Sequence, residues 1–431
     1  MTLARQAQPT VTFVDEYCAQ YQDLFPDVRS FEQFTYLHVG MLSDIKRKSL
    51  PAIATAVGKA DAQALHHFLA NAPWPVEAVR ARRLHLLKET LRERPFTLIL
   101  DETGDEKKGH TTDYVAHQYI GNVGHLANGI VSVNAYGLLD TITFPLLFSV
   151  YKPQSRLHPD DTFHTKPELA IEIIQQLQQQ GFQFSLVLAD SIYGESGPFI
   201  SALERLHLHY IVGLRFNHGV WLPSGERIRY TRWRPFARIF TDGSQQPRSI
   251  REVIYGHRRR IRFYEITIDP VTLPTDGTWF IMTNLQGDIR TQVGNLYGLR
   301  TWIEYGFRQA KDELGWADYR VTDYHAIERW WEVVCSAYSL VSLQAAIFQP
   351  SAPNKSAPSP ASPVNRFPQH RWWDTGNGWK NVLNDLRLIL QPYICHCLIL
   401  PWLLVFDIPA LQLGFKQLTS IMNTFHTLIP T

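Results

Sequence analysis

FTLILDETGDEKKG, residues 96–109, opens with five strand-prone residues that run straight into Asp101. A second stretch, FSLVLADSIYG at 184–194, does the same with Asp190. A carboxylate placed there is lifted out of the core at the C-terminal end of a strand, where α/β sheets put their ligands. One such aspartate alone is more often a capping or surface residue. Two in one chain suggest a site.

The rhythm around these stretches is that of a mixed α/β sheet. Strands are expected at 96–100, 115–123 and 129–138, then a helix at 166–180, a strand at 184–189, a helix near 199–206 and a strand at 210–214. Residues 216–276 break the pattern into short β-prone pieces. The core resumes at 279–283, followed by a long helix over 291–314 and an apolar helix at 327–348 expected to pack on the sheet. Residues 1–94 read as helical. Within them 76–94 form a basic amphipathic helix, which suits either DNA phosphates or a solvated surface. At 350–363, 12 of 14 residues are Pro, Ser or Ala, so a flexible linker is expected.

The expected divisions are therefore a helical DNA-binding region (1–94), a first core segment (95–215) and a β-rich insertion (216–276). A second core segment (277–348), a linker (349–371) and a helical C-terminal region (372–431) follow.

The bulk composition is that of an ordinary globular protein, with 45% hydrophobic and 19% charged residues. A net charge of +2 permits a nucleic-acid partner without announcing one. Four scattered cysteines in 431 residues imply reduced thiols and a cytoplasmic setting. The apolar run YICHCLILPWLLVF (393–406) is shorter than the roughly 20 residues of a membrane span, so a buried helix and no membrane partner are expected.

YGLRTWIEYGFRQAK, residues 297–311, adds a third acid. At 100° per residue, Tyr297, Arg300, Glu304 and Lys311 fall within about 60° of one another. Leu296, Leu299, Ile303, Phe307, Ala310 and Leu314 make an apolar face beside them. Such a helix packs on a core and aims its polar stripe along the edge. The plain alternative is an Arg300–Glu304 surface pair, worth about 0.3–0.5 kcal/mol.

Tyr, two residues, Arg, three residues, Glu, six residues, Lys resembles the YREK signature of one large branch of bacterial insertion-sequence transposases of the DDE superfamily. DETGDEKKG (101–109) and LADSIYG (188–194) resemble the aspartate motifs of the same group, and the resemblance spans roughly residues 95–345. It implies a ribonuclease-H-like fold with a β-rich insertion in the 113 residues between Asp190 and Glu304. It implies that Asp101, Asp190 and Glu304 are catalytic and hold two Mg²⁺ ions, for which Mn²⁺ can substitute. Water would first free a 3′-hydroxyl at the transposon end, and that hydroxyl would then attack target DNA. Tyr297, Arg300 and Lys311 would contact phosphates near the cut. The partners implied are double-stranded DNA, as terminal inverted repeats and target, and a second copy of the chain on paired ends.

The insertion supplies positive charge. From Arg215 to Arg262 there are 12 arginines, no lysine and three acids, a local net charge of +9. In RYTRWRPFARIF (229–240) Arg229, Arg232 and Arg234 interleave with Tyr230, Trp233 and Phe236. Guanidinium forks grip phosphates and aromatic faces stack on bases. Trp233 or Trp221 is the candidate for stacking on a displaced base.

Other residues have plainer readings. Glu102, Asp105 and Glu106 suit a solvated turn, although one could aid a metal through water. His158, Asp160 and Asp161 suit a helix start, and His396 between two cysteines suits core packing. Competing functions are a nuclease without strand transfer and a domesticated DNA-binding protein that has lost its chemistry. A glycosidase explains neither Arg300 nor the arginine run.

Overall fold

The computed structural model describes residues 5–121, 123–219, 222, 224–255, 260–345, 347, 371–374, 376 and 378–426. The chain forms two compact units, one of residues 93–307 and one of residues 1–92 with 308–431. The expected linker, apart from Arg371, and Trp221 lie outside the described residues.

The first unit is built on a sheet of eleven strands among the described residues. In chain order these are β1 (Phe96–Glu106), β2 (Ala116–Ile120), β3 (His125–Leu139), β4 (Ile142–Tyr151), β5 (Phe184–Ala189), β6 (Tyr210–Leu214), β7 (Arg229–Tyr230), β8 (Arg234–Ile239), β9 (Gln245–Ile254), β10 (Arg262–Thr267) and β11 (Thr278–Thr283). β3 pairs antiparallel with β1 and β4, while β5 is parallel to both β1 and β6. This mixed sheet is the ribonuclease-H-like α/β fold expected. Its helices include α6 (Lys166–Gln179), α7 (Ser191–Gly194), α8 (Gly197–Arg205), α9 (Val293–Gly298) and α10 (Thr301–Arg308). The start of α6 is fixed by a capping box between Thr165 and Glu168.

β4 escaped the sequence reading because Pro145 sits inside ITFPLLFSVY. Proline removes a ladder donor and argues against a strand. The register slips by one between Ala135 and Tyr136, where Tyr136 faces Pro145, and this irregularity accommodates the ring.

The insertion also behaves differently from a module hung on a loop. β11 pairs with β6, β10 with β11, β9 with β10, and both β8 and β7 with β9. The β-rich interval continues the core sheet outward and covers the edge that β6 would otherwise present.

The segment expected as one helix over 291–314 is broken. α9 ends at Gly298, α10 begins at Thr301, and residues 309–313 form a π-helical turn. The 100° phasing therefore holds from Arg300 to Glu304 but not onward to Lys311, which lies in the π turn.

The second unit is helical. α1 (Thr12–Ala19), α2 (Val28–Leu42), α3 (Leu50–Ala56), α4 (Gln63–Ala70) and α5 (Val76–Leu91) precede α11 (Tyr324–Leu343), α12 (Trp379–Phe406) and α13 (Pro409–His426). α11 was expected on the sheet. It is instead the centre of this unit, packed against α5, α2, α4 and α12. The basic residues of α5 are partly consumed inside it. Arg83 is fully buried and bonds Glu332 at 2.6 Å, Arg80 bonds Glu328 and Glu332, and Arg82 bonds Asp23.

α12 departs from the buried helix expected for 393–406. By length and composition it could cross a membrane. In this stretch Ile394, Cys397 and Leu403 are buried while Trp402, Leu404, Val405 and Phe406 are exposed. The described cysteines are all free thiols.

Candidate active site

Asp190 follows β5, whereas Asp101 lies within β1, which corrects the expected strand-end placement; it comes just after Leu100, the last residue of β1 paired with the parallel neighbour β5. β1 continues through Glu106, which corrects the expected turn at 102–106. Strand alternation puts Asp101 and Glu102 on opposite faces. Glu102 is buried on its face and meets Lys166, the first residue of α6, at 2.5 Å. His158 and Asp161 likewise start no helix. The His158 amide bonds Asp161, and Asp161 pairs with Lys152.

Asp190 caps α7 by accepting the Ile192 amide at 2.9 Å. α7 lies tight on β6 because residue 194 is glycine, where a Cβ would overlap the Gly213 carbonyl oxygen. Gly213 is equally constrained, since a Cβ there would stand 2.6 Å from the Tyr297 hydroxyl and 3.0 Å from the Ser191 amide. Two glycines thus seat the second aspartate and Tyr297 against one strand.

Glu304 is positioned by the buried side of α10. Ile303 is fully buried, a contribution of about 1.5–3 kcal/mol. Gly306 lies against Tyr136 of β3, whose ring meets Phe307 edge-on at 5.6 Å. Glu304 points off this face with half of its side chain exposed.

Arg300 joins the parts. Its Nη1 donates to Asp101 Oδ2 at 2.8 Å and its Nη2 to Glu304 Oε1 at 2.9 Å. The i,i+4 pair of Arg300 with Glu304 is present, but Arg300 is largely buried rather than at the surface, and its bond to Asp101 is what sequence spacing did not show. Burial pushes the Asp101 carboxyl up to about 7, opposed by Arg300 and reinforced by Asp190. Burial raises Asp190 as well, against Arg300 and the Ile192 amide. Burial raises Tyr297, with Arg300 opposing. Burial works against the Arg300 charge, yet Asp101, Tyr297 and Glu304 hold it above the usual arginine range.

The donors suit a hard divalent cation: they are all carboxylate oxygens, and Asp101 is buried and Asp190 half-buried with their charge incompletely offset. Among the described residues no three His, Cys, Asp or Glu side chains already stand together as a metal cage. The contact between Asp101 and Glu304 is made by the Arg300 guanidinium.

Tyr193 was not singled out from sequence. It is fully buried on α7, its hydroxyl has no hydrogen-bond partner among the described residues, and Asp101, Glu102 and Asp190 add to the effect of burial in raising it. In the insertion, Arg229, Arg232 and Arg234 are exposed. Trp233 is half-buried, and one face is taken by Arg251, whose guanidinium lies 4.4 Å from that ring and 4.2 Å from Tyr230. Arg251 is anchored by Glu265 at 2.6 Å.

Residues 22–268 match the family described as DDE superfamily endonuclease, a span that includes Asp101 and Asp190 and ends before Glu304. The chain belongs to the DDE superfamily of endonucleases. More particularly, it is similar to a protein of Microchaete diplosiphon described as "Probable transposase for insertion sequence element IS701". The two are 54% identical over 329 residues, covering 76% of this chain and 87% of that relative.

Proposed function

We infer that this DDE endonuclease is an insertion-sequence transposase, and propose that Asp101, Asp190 and Glu304 are its metal-binding carboxylates. The enzyme cleaves DNA and carries out transposition, and its chemistry depends on divalent metal. The observation that carries the residue assignment is that Arg300, beside Asp190, bridges Glu304 to Asp101, which lies 199 residues before Arg300 in sequence.

Two Mg²⁺ ions, replaceable by Mn²⁺, are the proposed cofactor, since Mg²⁺ takes oxygen ligands and needs few from the protein. Bound there, such ions would activate the attacking oxygen and stabilise the leaving one. Around them Asp101 within β1 and Asp190 after β5 supply carboxylates, and Glu304 a more exposed one. Arg300 and Tyr297 orient the phosphate, with Lys311 as a further phosphate contact of the YREK pattern. The insertion holds the transposon end through Arg229, Arg232 and Arg234. Trp233 offers a base the ring face that Arg251 leaves open. Residues 1–94 add a DNA-binding region, and two copies act on paired ends in the cytoplasm.

The test is a reaction with purified protein, duplexes carrying the terminal inverted repeats, a target plasmid and Mg²⁺. Asp101→Asn, Asp190→Asn and Glu304→Gln should each abolish cleavage while leaving end binding intact. Cleavage that persists in one variant removes that residue from the set. Cleavage by the native chain without joining would make it a nuclease, and binding without cleavage a DNA-binding protein.

A further inference from the structure

Strand alternation divides the side chains of the outer sheet between two faces. On one face Arg251 is neutralised by Glu265 and stacked between Tyr230 and Trp233. The other face carries Arg234, Phe236 and Arg238 of β8, Arg248 of β9 opposite Phe236, and Trp279 of β11. This second face is the one that meets α9. Phe236 fills the space over Gly294, where a Cβ would come within 2.5 Å of its ring. Asn295 clasps β8 twice, accepting the Ile239 amide at 3.0 Å and donating to the Ala237 carbonyl at 2.8 Å. Arg238 completes the clasp by donating from Nη2 to the Gly298 carbonyl at 2.8 Å, two residues before Arg300.

The arginines of this half of the sheet differ in what neutralises them. Arg251, Arg262 and Arg290 hold Glu265, Glu252 and Asp288. Arg238 and Arg248 have no carboxylate partner among the described residues. Arg238 donates to the carbonyls of Ile239 and Gly298. Arg248 donates to Gln246 Oε1 at 3.0 Å and lies 4.9 Å over the exposed Trp279 ring, and its Nη1 is buried without an acceptor. Burial lowers both groups, and for Arg238 the positive charges of Arg248 and Arg300 add to it. Half-buried cations held near one another, one with a donor left unsatisfied, gain from an anion placed between them.

We propose that Arg238 and Arg248 form a phosphate-binding site that grips the DNA strand entering the catalytic centre and holds it in register with Arg300. The ligand is a backbone phosphodiester, read without regard to base. The site rests on the reading of Asp101 and Arg300 as the catalytic centre. It also makes the clasp on α9 the route by which the outer sheet positions the cut.

The test measures binding of a fluorescent terminal-repeat duplex by anisotropy across a range of salt, without divalent metal. Arg238→Gln and Arg248→Gln should each weaken binding about fivefold to tenfold and reduce the slope of log affinity against log salt by about one. Arg262→Gln, whose native partner is Glu252, should leave the slope unchanged. Methylphosphonate replacement of single phosphates should reveal positions within a few nucleotides of the cut that weaken the native protein but not Arg238→Gln. Native slope and affinity in both variants, or methylphosphonate losses of equal size in native protein and Arg238→Gln, would overturn the proposal. Should Arg238→Gln unfold, Arg238→Lys and Arg248→Gln decide. Asp101→Asn separates the two readings. If it still cleaves, the catalytic assignment fails while the salt slopes of the arginine variants stand on their own.

Discussion

Arg300 Nη1 lies 2.8 Å from Asp101 Oδ2, and the same guanidinium reaches Glu304 at 2.9 Å. A single cation therefore sits between two acids proposed to bind metal. It offsets part of their charge and would compete with a dication for both carboxylates.

Removing that cation should favour the metal. In Arg300→Gln at pH 8, Mn²⁺ binding without DNA should tighten about tenfold, equivalent to roughly 1.4 kcal/mol. Titration calorimetry or Mn²⁺ electron paramagnetic resonance reads this directly. Cleavage should fall in the same variant, because a phosphate contact goes with the guanidinium. Weaker or unchanged metal binding would show that Arg300 is no competitor.

A proton competes at the same carboxylate. Burial raises Asp101 to about 7 from an ordinary value of 3.8. Between those values the folded state holds a proton that the unfolded state has lost, so this group's contribution to stability is present at low pH and lost as pH rises through 7. Metal affinity should run the opposite way, rising as pH climbs through about 7 and levelling above it. A metal affinity flat between pH 6 and 8 would contradict this.

His38 governs acid sensitivity in the helical unit. It is fully buried between Phe34 O and Ser336 Oγ, at 2.8 and 2.9 Å, and burial lowers it to about 4. The unfolded chain takes up a proton below about 6.5 while the folded chain does not, so stability should fall as pH drops from 6.5 towards 4. The full loss is on the order of 3 kcal/mol by linkage. Urea unfolding of the native protein and His38→Gln should show the steeper pH slope in the native protein alone.

Gly194 tests the seating of the second aspartate. A methyl at this position meets the Gly213 carbonyl oxygen. Gly194→Ala should cost about 1–3 kcal/mol of stability. It should also reduce cleavage more than tenfold by moving Asp190, while end binding is kept. Native cleavage in a folded Gly194→Ala would mean that α7 can shift without consequence.

Most of the elements and the chemical types of the site were legible in the residues alone. The apolar runs leading into Asp101 and Asp190 and the i,i+4 pair of Arg300 and Glu304 are local patterns, readable because strand alternation and helix phase are set within a few residues, although β1 runs on past Asp101 to Glu106. The sequence also announced the arginine excess of the insertion. Tertiary structure alone decided how these meet. That Arg300 reaches back to Asp101 depends on α10 packing over Tyr136, and that Gly194 is required depends on where β6 runs. β4 was hidden by Pro145, whose tolerance comes from a register slip supplied by β3. The insertion joins the core sheet because β11 pairs with the edge of β6, and backbone edges carry no side-chain signature of their partner. Which arginines are neutralised and which await phosphate is likewise a matter of what folding brings beside each one.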